Sequence, residues 1–167
     1  MLNKKENWIF YNIYIVMLMV LSVSFRLYAD VFENAVYLLI GVYGTLRWYS
    51  KAERAAQPSY CGKRLLLGVL AAIPPMVCAL YLPLLITDDP LPFLDALSTA
   101  LGFAATYLMA KRRVEAWIIW LVADIIMVAV YWMIPEQPVY LLALNIVWTA
   151  LAVLSWVRWH KLSKTQR

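Results

Sequence analysis

The chain has 167 residues, 64% hydrophobic and 15% charged, with a mean hydropathy of +0.69 and a formal net charge of +5. Soluble domains are nearer half apolar and a quarter charged, so the composition excludes a soluble enzyme or an anchored soluble head and points to one compact membrane domain, residues 1–167. The positive charge does not indicate nucleic acid, because the basic residues sit in short turns between apolar segments.

Six apolar segments, at about 8–25, 31–48, 64–86, 93–109, 117–134 and 139–159, are each long enough, or nearly so, to cross the hydrocarbon as a helix. The first has a basic start and an apolar run, as a signal peptide does. It lacks a small-x-small cleavage site and more spans follow, so it reads as an ordinary first span. Arg26, Asp30 and Glu33 fall between it and the second. The second carries Asn34, Tyr37, Gly41, Gly44 and Trp48 on one stripe. The long polar loop runs over 50–63. The third segment is interrupted by Pro74, Pro75 and Pro83, each removing a backbone donor, and reads as a linker between two halves. TDDPLP (87–92) makes the next turn. The fourth segment presents Asp95, Thr99, Gly102 and Thr106, and a basic turn, Lys111 to Arg113, closes it. The fifth carries Trp117, Trp120 and Asp124 at i, i+3 and i+7, which a helix places on one face. After the PEQP turn (135–138), the sixth aligns Asn145, Trp148, Thr149, Ala152 and Ser155 or Trp156.

Fourteen of the fifteen lysines and arginines fall at the ends that share a side with the N-terminus, and only Arg26 falls opposite. Asp30, Glu33, Asp88, Asp89, Asp95 and Glu136 lie on the other side. By the positive-inside rule both termini are cytoplasmic in this six-helix topology.

The chain also resembles itself. NAVYLLIGVYGTLRW (34–48) aligns without a gap on NIVWTALAVLSWVRW (145–159), pairing Asn34 with Asn145, Tyr37 with Trp148, Gly44 with Ser155 and Trp48 with Trp159. Glu6-Asn7-Trp8 rhymes with Glu115-Ala116-Trp117. Both copies run in the same direction, a plan that in transporters places the substrate site between halves. Aromatic residues beside Arg or Lys also recur at any membrane interface.

An intramembrane carboxylate is costly and marks a pathway or a binding site. Asp124 has no basic residue within the spans to pair with, and two indoles beside it suit a flat cation. Glycines and hydroxyls on the facing stripes serve close helix packing, while Asn34 and Asn145 suit packing or ligand binding alike. Cys61 and Cys78 form no disulfide framework, and His160 reads as a solvated interfacial residue. No metal-ligand cluster, phosphate-binding glycine loop or nucleophile–base pair is present, so the sequence gives no reason to expect an enzyme or a cofactor.

The stretch from Leu94 to Trp132 resembles the PnuC family of bacterial vitamin transporters. Asp95, the basic turn 111–113, and Glu115, Trp117, Trp120 and Asp124 match its pattern of an Asp opening a helix, a basic turn, and E-x-W-x-x-W-x-x-x-(N/D). Trp159, and more weakly Tyr28, Gly44 and Trp48, match its other helices. The resemblance implies a SWEET-like fold of two parallel three-helix bundles joined by a linker helix, assembled as a homotrimer in the bacterial inner membrane. It implies facilitated diffusion of nicotinamide riboside for NAD biosynthesis, with cytoplasmic phosphorylation trapping the substrate and no coupling ion. The family plan is three, one and three helices. Here the expectation is two, one and three: 8–48 a partial first bundle, 64–86 the linker, 93–159 the second bundle, with the family's first helix lacking.

The substrate-binding set expected is Trp117, Trp120, Asp124, Asn145, Trp148, Asn34, Tyr37 and Thr99. Thiamine, also cationic and aromatic, is the alternative substrate. The alternatives of other classes are a non-transporting membrane protein or partner subunit of this family and, with less support, a lipid-acting enzyme using Asp124 as base.

Overall fold

The computed structural model describes residues 4–26, 28–50, 56–134 and 139–164. The PEQP turn, Lys51, Arg54 and Arg167 lie outside the described residues. Six helices account for almost all of it: α1 (Glu6–Ser24), α2 (Tyr28–Tyr49), α3 (Lys63–Leu84), α4 (Pro92–Ala110), α5 (Glu115–Met133) and α6 (Val139–Lys164). Helices are what such a sequence must form in lipid, because only they satisfy every backbone group within one segment. Five of the six are long and apolar enough to cross a membrane. The exception, α2, is 22 residues long but opens on Asp30, Glu33 and Asn34. Here the structure corrects the sequence reading: Asp30 and Glu33 do not sit between spans but occupy the first turns of α2.

The turns follow the residues in them. Pro92 starts α4, where its missing N–H costs nothing. Before it, Asp89 Oδ1 accepts the Leu91 N–H at 2.8 Å. Helix α3 runs unbroken through its three prolines. Arg26 and Arg112 sit at positive φ in the tight α1–α2 and α4–α5 turns.

Helix α4 is the axis of the molecule and packs against α2, α3 and α5, while α1 packs on α2 and α6 on α5. Its sequence explains this. Ala96, Ser98, Thr99, Ala100, Gly102, Ala104 and Ala105 are buried, and small residues let neighbouring helices approach closely. Helices α2 and α4 run in parallel as a ladder: Glu33 meets Thr99, Tyr37 meets Phe103, and Trp48 meets Ala110. The outward faces of α1 and α6, with Phe10, Met17, Val20 and Leu154, are exposed and apolar, as lipid requires.

Candidate functional site

The basic ends of the helices close on four tryptophans. Trp8 packs edge-on to Trp48 (centroids 6.0 Å), Trp117 edge-on to Trp159 (5.4 Å), and Trp48 and Trp159 join the two pairs at 6.3 Å. All four are nearly or fully buried. These are the repeat-related positions of the sequence, Trp8 with Trp117 and Trp48 with Trp159, so the two halves contribute equivalent pairs to one plug. Trp48 Nε1 donates to the Ala110 carbonyl at 2.9 Å. Trp117 and Trp159 leave their Nε1 donors buried without a partner among the described residues.

Arg112 ties the loop after α2 to this plug. Its guanidinium lies 3.8 Å over Trp48 and its Nη1 donates to the Ala56 carbonyl. These contacts hold a non-glycine residue in a left-handed conformation that costs about 1–3 kcal/mol. Ser59 N–H donates to Arg112 O (3.0 Å) and Val114 N–H to Ser59 O (3.1 Å), clasping the loop to the basic turn. Cys61 N–H donates to Glu115 Oε1 at 2.9 Å. Burial, with the Glu115 carboxylate beside it, pushes the Cys61 thiol up to about 12. His160 is not simply solvated as the sequence reading had it: Tyr60 Oη is hydrogen-bonded to its Nδ1, and the rings meet edge to face.

Above the plug, toward the acidic ends, lies a polar cluster among α1, α2, α4 and α5. Tyr37 occupies its centre. Its ring meets Phe103 edge-on at 4.7 Å and faces Trp120 nearly in parallel, 16° apart, at 6.5 Å. That spacing is at the long end of aromatic stacking. The Tyr37 hydroxyl rests on Gly102 so closely that a Cβ there would stand 2.1 Å from it. Glu33, Tyr11, Asp124 and Asp95 all lie within electrostatic reach of Tyr37. Asp124 is 9% exposed, and makes no hydrogen bond or ion pair among the described residues. It is nine residues into the 19-residue α5, about 14 Å from either end and so near mid-span. Tyr37, nine residues into α2, lies at about the same depth.

Glu33 is the residue the sequence reading missed. Its Oε1 accepts the Thr99 hydroxyl at 3.3 Å, and Asp95 and Asp30 are the charges that act on it. The signal was present: Asp30, Glu33, Tyr37, Gly41, Gly44 and Trp48 form one continuous helical stripe, which the sequence reading began only at Asn34.

The structure thus divides the expected set. Tyr37, Thr99, Trp120 and Asp124 come together, with Glu33 added. Trp117 lies one turn away in the plug. Asn34 and Asn145 each donate to a carbonyl of their own helix, Asp30 O at 2.8 Å and Leu141 O at 3.0 Å. Trp148, on α6, is 48% exposed and is not brought to the cluster.

Set against known proteins, the chain matches the family described as nicotinamide mononucleotide transporter over residues 1–161. No curated protein matches it. Among solved structures it is similar to one titled "Crystal structure of the Vitamin B3 transporter PnuC", with a TM-score of 0.73 and 24% identity. The match covers 98% of this chain and 75% of the other. The six helices therefore adopt the PnuC transporter fold in a multi-pass membrane protein, and the lipid-acting enzyme considered from the sequence is set aside, since the family is one of transporters. The chain belongs to the nicotinamide mononucleotide transporter family.

Proposed function

We propose that the chain carries a cationic, ring-containing vitamin across the bilayer, with nicotinamide riboside as its first substrate. Asp124 carries this reading: a residue only 9% exposed at mid-span, its carboxylate beside the near-parallel rings of Trp120 and Tyr37. A buried carboxylate without a protein partner is costly, and a cationic ring offsets that cost. The aromatic faces hold the ring, with the positive charge drawn to their quadrupoles. The hydroxyls of Thr99 and Tyr37 suit ribose or carboxamide. The matched family is described by the mononucleotide, but Glu33, Asp95 and Asp30 around the approach repel a phosphate. The unphosphorylated riboside is therefore the better fit.

In the membrane, the basic end faces the cytoplasm of a bacterial cell and the acidic end faces outward. The tryptophan plug is then the inner closure, and rocking of the halves about the site exchanges access. Flux is by facilitated diffusion, with a cytoplasmic kinase trapping the substrate, and the assembly is a homotrimer. The test is uptake of labelled nicotinamide riboside, thiamine and nicotinamide mononucleotide into liposomes holding purified protein. Saturable riboside uptake without ATP or an ion gradient is expected, with the mononucleotide excluded. Intact protein that takes up none of the three sinks the proposal, and uptake of thiamine alone reassigns the substrate.

Gly102 offers a finer check. A methyl group there forces the Tyr37 hydroxyl, the far end of a flexible side chain, to move. Gly102→Ala is expected to weaken riboside binding about tenfold, at an overpacking cost of about 1–3 kcal/mol in stability, since Trp120 also stands 3.3 Å from the added methyl group. Binding equal to the parent shows that Tyr37 does not shape the site.

A further inference from the structure

We infer that Glu33 is a specificity-determining residue for substrate charge, an outer station that meets the cation one helical turn before Asp124. The inference rests on the carrier reading above and deepens it.

Glu33 is five residues into α2 and Tyr37 nine, so the carboxylate stands about 6 Å nearer the acidic end than the Tyr37–Asp124 level. Thr99 holds it in place from α4 at 3.3 Å. Asp95, in the first turn of α4, and Asp30, in the first turn of α2, act on it from further out. Tyr131 of α5 is within reach of the same three carboxylates. Going inward, Tyr37 feels both Glu33 and Asp124.

These side chains are ordered by depth rather than gathered around a metal. Among the described residues, no group of three or more His, Cys, Asp or Glu has the arrangement to hold a metal ion. The groups inward of Glu33 are aromatic: Tyr37, Phe103 and Trp120. A carboxylate followed by near-parallel rings and a second carboxylate at mid-span suits an organic cation whose charge sits in a flat ring. Charge complementarity along an approach rejects anions and gathers cations. Two carboxylates a turn apart also let the cation leave one before it is fully engaged by the other, which movement through a site requires.

The test is calorimetric binding of nicotinamide riboside and of its uncharged dihydro form, two ligands that differ little besides the ring's charge. Glu33→Gln is expected to weaken riboside binding about tenfold or more while leaving the dihydro form within about twofold. Glu33→Asp should recover part of the loss. Thr99→Val, which frees the carboxylate from its anchor, should produce the same selective loss at smaller size. Melting temperatures of all variants confirm folding, and Thr99→Val keeps the test in force should Glu33→Gln not fold. A Glu33→Gln variant that binds the riboside as the parent does, or that loses both ligands equally, overturns the inference alone. A parent protein that binds neither form overturns the carrier reading and this inference with it.

Discussion

Asp124→Asn is expected to cut affinity for nicotinamide riboside about a hundredfold, measured by calorimetry, while raising the melting temperature of the empty protein. The two effects share one cause. Asp124 is 9% exposed at mid-span and makes no hydrogen bond or ion pair among the described residues. Removing one partner of a buried charge pair costs about 3–5 kcal/mol, and each 1.4 kcal/mol is about tenfold in affinity. In the empty protein the same carboxylate is a desolvation cost with nothing to offset it, so the amide relieves the folded state. Asparagine is nearly isosteric with aspartate, so the variant should fold. If the Asn variant binds the riboside as tightly as the parent, Asp124 acts only as a hydrogen-bond acceptor and the charge-balancing role is wrong. A Glu33→Gln, Asp124→Asn double variant then reports how far the two carboxylates act on the same cation, since coupled positions depart from additivity.

What could be read from the sequence, and what could not, follows from the reach of helical periodicity. Hydropathy located all six helices, because lipid leaves the chain no other regular structure. The spacing of Trp117, Trp120 and Asp124 correctly placed them on one face. It did not say that the face spans two environments. One turn separates Trp120, which faces Tyr37, from Trp117, which is packed on Trp159. The residue on the opposing helix decides that difference, and no local pattern encodes it. Asn34 and Asn145 illustrate the same limit. Each amide has a carbonyl four residues back on its own helix as a partner, a local solution that competes with any role across the bundle.

Glu33 was hidden for another reason. An acid near the start of an apolar segment is read by charge alone as loop, and the positive-inside count favoured that placement. Its partner Thr99 is 66 residues away. The internal repeat, by contrast, reached further than its short length suggests. It pairs Trp8 with Trp117 and Trp48 with Trp159, and these four meet in one plug. It breaks at Tyr37 and Trp148: Tyr37 centres the cluster, whereas Trp148 is half exposed on α6. The two repeats are thus alike at the four tryptophans of the basic end and unlike at Tyr37 and Trp148.

The plug yields the prediction with the largest effect on stability. Trp159 is fully buried between Trp48 and Trp117. Trp159→Ala is expected to lose about 3–5 kcal/mol through the cavity it leaves, read as a fall in melting temperature in detergent. In liposomes the surviving folded fraction should leak small solutes that the parent excludes, as the inner closure proposed for these indoles requires. Phenylalanine separates packing from hydrogen bonding. Trp159 Nε1 is buried without a partner among the described residues, so Trp159→Phe removes an unsatisfied donor that costs about 1–3 kcal/mol, offsetting much of the lost contact area. Trp48 Nε1 instead donates to Ala110 O at 2.9 Å, and Trp48→Phe strands that carbonyl and strips the larger ring from Arg112, 3.8 Å away. Trp48→Phe should therefore destabilise more than Trp159→Phe by about 1–2 kcal/mol. Equal melting temperatures for the two phenylalanine variants would mean that Trp159 Nε1 is hydrogen-bonded in the folded protein. A Trp159→Ala protein that stays tight to solutes would show that the closure lies elsewhere.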